Sequence, residues 1–282
     1  MYSRIVVIGD LHGDASKLLQ CLKMADIIDD ELEWVAEPPN TILVQLGDQI
    51  DSRSRGEPKT ENTENAETRD WESGNSDVHL MLFLHLLDQK ARAKGGQVVS
   101  IIGNHEMQNV HGDFIYVSPT SMTNSGGPLR RYADFKAGMD GYLNRILQSR
   151  PVVAKIGPFI FCHGCLKIRH LQLVNMDIGL INSCMADYLE TGHVTQLFTE
   201  LFLTNESVLW NRDYEEGDLS AVLAATDSKA MFVGHTIVPQ ISALFSGKLW
   251  LCDVGMSRAI IGAPCQVLQI IDESKYQRIE QV

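Results

Sequence analysis

The sequence predicts an α/β fold, and three observations carry that reading. Five short apolar runs rich in β-branched residues, at 4–8, 42–46, 98–102, 159–162 and 231–233, have the length of buried strands and end beside a glycine or a polar residue. Stretches with helical spacing separate several of them. Neither an internal repeat nor a clear linker divides the 282 residues, so residues 1–282 read as one domain. Each run leads at once into Asp, Asn or His: Asp10-Leu11-His12, Asp48-Gln49-Ile50-Asp51, Asn104-His105-Glu106, His163 and His235. In open α/β sheets, ligands collect just past the carboxyl ends of strands. Packed in one sheet or across two facing sheets, five such strands deliver their polar residues to a common edge.

In chain order, the strand at 4–8 is followed by an expected amphipathic helix at 15–28, with Leu18, Leu19, Leu22 and Ile27 on one face and Asp14 as its N-cap. Pro38-Pro39-Asn40 breaks the chain before the strand at 42–46. Residues 52–77 are rich in Glu, Asn, Thr and Arg, and Trp71 is their only large apolar side chain. Such a stretch buries too little surface to order itself, so it reads as an exposed, flexible loop beside the site. Residues 78–93 are apolar on most faces and read as a buried helix, which Gly95-Gly96 ends. Residues 107–127 read as irregular, and 129–147 as one long helix that stops before Pro151. A hairpin through Gly157-Pro158 delivers His163, and helical patterns fill 168–204. The last third is β-rich, at 231–233, 241–245, 248–252, 266–271 and 276–281.

The formal net charge is −12, with no cluster of Lys or Arg, which argues against a nucleic-acid or anionic membrane surface. The chain enters a strand at its start without a basic or apolar leader. Its longest apolar helical stretch, 78–87, is interrupted by His79 and His85 and is too short to span a bilayer. Six cysteines lie scattered among apolar runs, as reduced, buried thiols do, and a cytoplasmic protein is expected.

Any one strand-end motif is a weak signal, because a lone histidine is more often a packed or surface residue. As an ordered set, Asp10, His12, Asp48, Asn104, His163 and His235 supply three imidazoles, two carboxylates and an amide oxygen. Mixed N/O ligation suits Mn, Fe or Zn better than Mg or Ca. Six ligands exceed one tetrahedral site and favour two metal ions that share a carboxylate. His79, His85, His170 and His193 are assigned to packing or solvent, and His111 to a structural role.

These residues resemble a known family. Gly9-Asp10-Leu11-His12-Gly13, Gly47-Asp48-Gln49-Ile50-Asp51, Gly103-Asn104-His105-Glu106, His163-Gly164 and Gly234-His235 are similar, in order, to the five motifs of the PPP-type metallophosphatases. The segment from Asn109 to Ser118, Leu209-Trp210-Asn211-Arg212, and Asp253-Val254-Gly255-Met256-Ser257 resemble its Shewanella-like branch of bacterial-type protein phosphatases. The resemblance implies a calcineurin-like fold: two central mixed β-sheets packed face to face, with helices outside. It also implies that Asp10, His12 and Asp48 hold one metal and that Asp48, Asn104, His163 and His235 hold the other. Two such cations share one water, lower its pKa and clamp the phosphoryl group for in-line attack. His105 is then the general acid for the leaving oxygen, oriented by Asp51, and Asn104 also faces the phosphate. The implied substrate is a phosphorylated protein or peptide, carrying phosphoserine, phosphothreonine or phosphotyrosine.

Two positions depart from the family pattern. The second motif normally continues Asp-Arg-Gly, and that arginine grips the phosphate. Here Ser52 follows Asp51, with Arg53 and Arg55 beyond; either could reach in, or the clamp rests on Arg212 alone. Cys165 replaces the second glycine of the fourth motif and creates Cys162-x-x-Cys165, read as structural with redox sensitivity a minor alternative. The rival functions are a phosphatase for small molecules or dinucleoside polyphosphates, and a metal-binding scaffold that has lost catalysis. The sequence is silent on oligomeric state and on the native metal pair.

Overall fold

The computed structural model describes residues 2–55 and 77–280. Ten strands form two five-stranded mixed sheets. In chain order the elements are β1 (Arg4–Ile8), α1 (Ala15–Met24), β2 (Ile42–Gln45), α2 (Val78–Ala93), β3 (Gln97–Ser100), α3 (Asn104–Val110), α4 (Pro119–Asn124), α5 (Pro128–Phe135), α6 (Tyr142–Gln148), β4 (Val153–Ile156) and β5 (Phe159–Cys162). There follow α7 (Ile168–Leu173), α8 (Ile178–Thr191), α9 (Gln196–Phe202), α10 (Glu216–Ala225), β6 (Ala230–Ile237), β7 (Ser242–Leu244), β8 (Leu249–Asp253), β9 (Gln266–Ile271) and β10 (Lys275–Glu280). The first sheet has the order β10-β9-β1-β2-β3, and the second β4-β5-β6-β8-β7. At the centre of each sheet the neighbours run parallel (β1 with β2, β2 with β3, β5 with β6, β6 with β8), while β9, β10, β4 and β7 pair antiparallel. The parallel strands therefore present their carboxyl ends on one side, where the polar motifs lie.

Strand alternation divides the core in two. Phe159, Phe161 and Phe232 face the first sheet, whose Val7, Val44 and Ile270 belong to the same buried cluster. Ile160, Cys162, Met231 and Val233 point the other way, into a second cluster with Leu147, Ile181, Phe198 and Val222 of the flanking helices. Trp250 of β8 stacks on Tyr276 of β10 at 4.9 Å between ring centres, a contact that joins the two sheets directly. The expected architecture of two facing sheets with helices outside is the one observed.

Several elements differ from expectation. The first helix stops at Met24: the Ile27 N–H turns back to the Leu22 carbonyl, and Ile28 pairs with Trp34 in a β-bridge. The long helix expected at 129–147 is two helices, because Gly138 takes a left-handed φ of +74° and a Cβ on Gly141 would meet the Ala133 and Asp134 carbonyls. The stretch 104–124, expected to be irregular beyond Glu106, contains α3 and α4, and α10 is a helix the sequence did not suggest. The stretch expected as an exposed loop begins and ends with buried residues, Ser52 and Asp77, both 2% exposed; residues 56–76, Trp71 among them, lie outside the described residues. No helix among the described residues is long and apolar enough to cross a membrane.

Candidate active site

The glycines at the strand ends explain how so many polar groups crowd together. A Cβ on Gly103 would stand on the Asp48 carboxylate, and one on Gly234 would stand on that of Asp10, so only glycine admits these approaches. Four of the functional residues hold left-handed backbone themselves: His12 (φ 41°), Asp48 (51°), Asp51 (72°) and His235 (60°). Such strain persists only where the surroundings over-determine it. Glu106 supplies much of that constraint on the Asp48 turn. Its fully buried carboxylate accepts the N–H groups of Gly103 (2.7 Å), Asp48 (3.0 Å) and Gln49 (2.8 Å), tying the second and third motifs together.

The structure brings the six expected ligands into one buried region. The Asp48 carboxylate is central: its Oδ2 lies 3.2 Å from His163 Nε2 and 3.9 Å from His12 Nε2. His163 Nε2 lies 2.8 Å from the Asn104 amide oxygen and 3.1 Å from His235 Nδ1. Asp10 accepts the backbone N–H of His235 at 3.1 Å. Two groups of side chains thus have ligand atoms within 4.8 Å of one another and share Asp48: His12, Asp48 and His105, and Asp48, His163 and His235.

The donor set fits a cation. His163 Nδ1 faces the Leu46 carbonyl at 2.8 Å, and His235 Nε2 faces that of Trp210 at 3.2 Å. A carbonyl only accepts, so in the neutral rings these nitrogens carry the protons, and the other nitrogen of each ring turns a lone pair inward. Once both rings are neutral, two imidazole lone pairs, an amide oxygen and a carboxylate converge, a donor set suited to a cation. Charge is balanced within the same space. Burial alone would lower the His163 pKa, but Asp48 and Asp10 reverse this and raise it to about 10. Burial would raise that of Asp48, and His163 and His105 instead hold it well below the usual carboxylate range. Burial and the adjacent His163 push His235 down to about 3. Asp10 is raised by burial and by Asp253, itself lifted to about 6 by burial.

His105, a member of the first group, stands on the first turn of α3 and is also bonded to Asp51. Its Nδ1 is 2.6 Å from the buried Asp51 carboxylate, and its Nε2 is 3.8 Å from Asp48 Oδ2. Burial raises the Asp51 pKa, and the bond to His105 opposes that rise. The Tyr116 ring packs against His105 at 5.1 Å between ring centres.

The arginines divide sharply. Arg53 is not brought to this region: it is exposed and donates to the Ile115 carbonyl at 3.0 Å. Arg55 is brought there. Its Nη2 lies 2.9 Å from His105 Nε2 and 3.4 Å from His12 Nδ1, and its guanidinium lies over the Tyr116 ring at 4.6 Å. Arg212 sits at the rim, donating to the His235 carbonyl at 3.2 Å. Ser52 points away from the cluster, into hydrogen bonds of 2.9 Å with Ser118 and Ser121. Cys165, like Cys162, is a buried thiol whose pKa burial raises, here to about 12, and both are free.

A family profile for calcineurin-like phosphoesterases matches residues 3–249. The chain belongs to that family. Among curated proteins it is similar to Shewanella-like protein phosphatase 2 of Arabidopsis thaliana, with 27% identity over 96% of this chain and 76% of that protein. It is also 30% identical to Shewanella-like protein phosphatase 1 of Plasmodium berghei, over 90% of this chain and 67% of that one. The resemblance to the Shewanella-like branch is thereby borne out. Among solved structures, the cold-active protein-tyrosine phosphatase of a psychrophilic Shewanella shares the fold, with a TM-score of 0.77 at 21% identity over 99% of this chain and 81% of that chain. A Saccharomyces cerevisiae protein serine/threonine phosphatase superposes with a TM-score of 0.59 at 14% identity, over 99% and 80% of the two chains.

Sequence reasoning left Arg53 and Arg55 as alternatives, of which Arg55 reaches the centre, and it missed Asp253 beside Asp10 and the buried group of Asn109, Arg131 and Asp77. Asp253 lay in a motif already singled out. Of the buried group, Asn109 also lay in such a motif, whereas Arg131 and Asp77 carried no local signal.

Proposed function

We propose that this protein is a metal-dependent phosphomonoesterase acting on phosphorylated protein or peptide, with two transition-metal ions of the Mn, Fe or Zn type. The observation that carries the proposal is the pair of ligand clusters sharing Asp48, with the His105–Asp51 pair placed alongside. Asp10, His12 and Asp48 would hold one ion, and Asp48, Asn104, His163 and His235 the other. When bound, such a pair supplies Lewis acidity and makes a nucleophile of water near neutral pH. His105 donates a proton from Nε2 to the departing oxygen. Asp51, an acceptor held in place beneath the ring, keeps Nδ1 protonated and Nε2 aimed outward. Arg55 and Arg212 bind the non-bridging oxygens, where the transferring phosphoryl group spreads its negative charge. The similarity to two Shewanella-like protein phosphatases supports a protein substrate.

The test is hydrolysis by Mn-, Fe- or Zn-loaded protein of a matched panel: phosphoserine, phosphothreonine and phosphotyrosine peptides, p-nitrophenyl phosphate, and dinucleoside polyphosphates. Peptide turnover that exceeds every small-molecule rate in kcat/KM is expected. Preference for a dinucleotide would overturn the protein substrate, and inactivity with all metals would overturn the reaction. Asn in place of His105 is expected to cost about 10²–10⁴-fold on phosphoserine peptide, the range of general acid catalysis. The loss should be smaller on p-nitrophenyl phosphate, whose phenoxide leaves unaided.

A further inference from the structure

We infer that Arg131, acting through Asn109, is a positioning residue for the general acid, and that Asp77 holds it there. The inference rests on the reading of His105 as leaving-group acid. Arg131 lies on α5 and is fully buried. Its guanidinium donates through Nη1 and Nη2 to the two oxygens of Asp77, at 2.7 and 3.0 Å. Its Nε donates to the Asn109 amide oxygen at 2.7 Å. Nη2 also stands 3.7 Å from Asp51 Oδ1.

The consequence falls on Asn109. An amide side chain can be turned by half a rotation, exchanging its oxygen and nitrogen. A guanidinium only donates, so the oxygen of Asn109 must face Arg131 and its NH2 must face the other way. That NH2 donates to Asp51 Oδ1 at 2.8 Å and to the His105 carbonyl at 2.9 Å. Asp51 is then held at one oxygen by Asn109, at the other by His105, and at its own N–H by Asp77 at 2.8 Å. Asp77 in turn is fixed by Ser121, whose hydroxyl accepts the Asp77 N–H at 3.1 Å. Without Arg131 the Asn109 oxygen loses its buried donor, and the amide is no longer pinned from behind where it holds Asp51.

A packing role alone does not account for this arrangement. Burying an ion pair is often no better for stability than apolar residues of the same volume. Here the buried pair sits one residue removed from the His105–Asp51 bond: Arg131 anchors the amide that holds Asp51, and Asp77 holds both Arg131 and the Asp51 N–H.

The experiment compares Arg131→Met, Arg131→Lys and His105→Asn, and the double variant Arg131→Met/His105→Asn, on a phosphoserine peptide and on p-nitrophenyl phosphate, at equal bound metal. Arg131→Met is expected to lower peptide kcat by about 10–100-fold, the scale of lost outer-shell orientation, with a loss of about threefold or less on p-nitrophenyl phosphate. Arg131→Lys, which keeps the charge near Asp77, should recover part of the peptide rate. In the His105→Asn background, Arg131→Met should add almost nothing, because residues that act as a unit are not additive. Equal losses on the two substrates, or an undiminished loss in the His105→Asn background, would overturn the inference. Selectivity absent from His105→Asn itself would instead remove the acid reading, and the inference with it. If Arg131→Met does not fold, Asn109→Asp tests the same step: it keeps an acceptor for Arg131 but opposes a carboxylate to Asp51, and it should reproduce the substrate-selective loss.

Discussion

Replacing Glu106 by Gln changes one atom in the centre of the site, and its consequence can be worked from three hydrogen bonds. Glu106 Oε2 accepts from Gly103 and Asp48, and Oε1 from Gln49. Burial and the nearby Asp48 raise the Glu106 pKa, while the N–H groups of Gln49 and Gly103 oppose the rise. Three N–H donors converge on the two oxygens, and that geometry favours the ionised form. In Gln the amide oxygen best replaces Oε2, which keeps two bonds and turns an NH2 against the Gln49 N–H. The lost bond to a charged acceptor is worth about 1.5–3 kcal/mol, and the stranded N–H adds about 1–3 kcal/mol. Removing a buried charge returns some of this, leaving a loss of about 2–4 kcal/mol. At about 2–4 °C per kcal/mol, Tm should fall by about 4–16 °C. Thermal unfolding of metal-stripped protein is the assay, so that ion binding does not contribute its own stabilisation. A change below about 1 kcal/mol would mean that Glu106 is already protonated, and the account of how the Asp48 turn is held would be wrong.

Further outcomes follow from the arginines, Ser52 and the metal ligands. Arg55→Ala should raise KM and lower kcat together, by about 10–100-fold in kcat/KM, and Arg212→Ala should do likewise, whereas Arg53→Ala should stay within about twofold; kinetics on one phosphopeptide decide, and a crippling Arg53→Ala would refute the assignment. Ser52→Arg, which the resemblance suggests as a repair, should instead destabilise by about 3 kcal/mol or more, because it drives an unpaired charge into the Ser118–Ser121 contact; chemical denaturation measures it. Asp48→Asn should reduce metal content at both positions and His12→Ala mainly at one, by elemental analysis after equilibration with Mn. Since His163 is protonated below about 10 in the metal-free protein, uptake near neutrality should release close to one proton from it and should tighten as pH rises. Calorimetry in buffers of different ionisation enthalpy would show this, and pH-independent uptake would refute it.

The strand ends were legible because two patterns coincide there: a continuous apolar run, and a glycine where the backbone must pass a carboxylate. The helix Val78–Ala93 was readable to its last residue, since its buried Leu80, Leu84, Leu87 and Ala91 recur at helical spacing and Gly95 closes it. The break at Gly138 and Gly141 was written in the sequence but masked by the apolar residues on both sides, Phe135, Leu143 and Leu147, which share one buried cluster. Helix α3 was missed beyond its motif because its N-cap, Gly103, has no side chain; Glu106 caps it from within. The buried network was not readable as such, although its Asn109 opens the segment 109–118 that carries the family resemblance. Arg131 and Asp77 are 54 positions apart, and a charged residue at a helix position reads as a solvated face until its partner is known. The same holds for the arginine at the centre: nothing in Asp51-Ser52-Arg53-Ser54-Arg55 says which side chain turns inward.

If His105 is the leaving-group acid, as proposed, the 2.9 Å contact of Arg55 with its Nε2 would join phosphate binding to the state of that acid. Asp51 can only accept when ionised, so His105 Nδ1 carries a proton toward it, and the other ring nitrogen is left with two exclusive uses. Nε2 either accepts from Arg55, as the 2.9 Å contact describes, or carries the proton that the leaving oxygen needs. It cannot do both, because a protonated Nε2 and a guanidinium N–H would meet donor to donor. Phosphoryl oxygens are stronger acceptors for a guanidinium than an imidazole lone pair, and they bind it bidentately. On the proposed mechanism, an arriving phosphate would draw Arg55 away from His105 and free Nε2 for its proton. An arginine fixed directly after Asp51 would lack this link. At position 55 the side chain reaches the site by way of the Tyr116 ring, with its backbone held by the Ala259 carbonyl at 2.9 Å, so on the proposed mechanism its move to the phosphate would not require the Asp51 turn to shift.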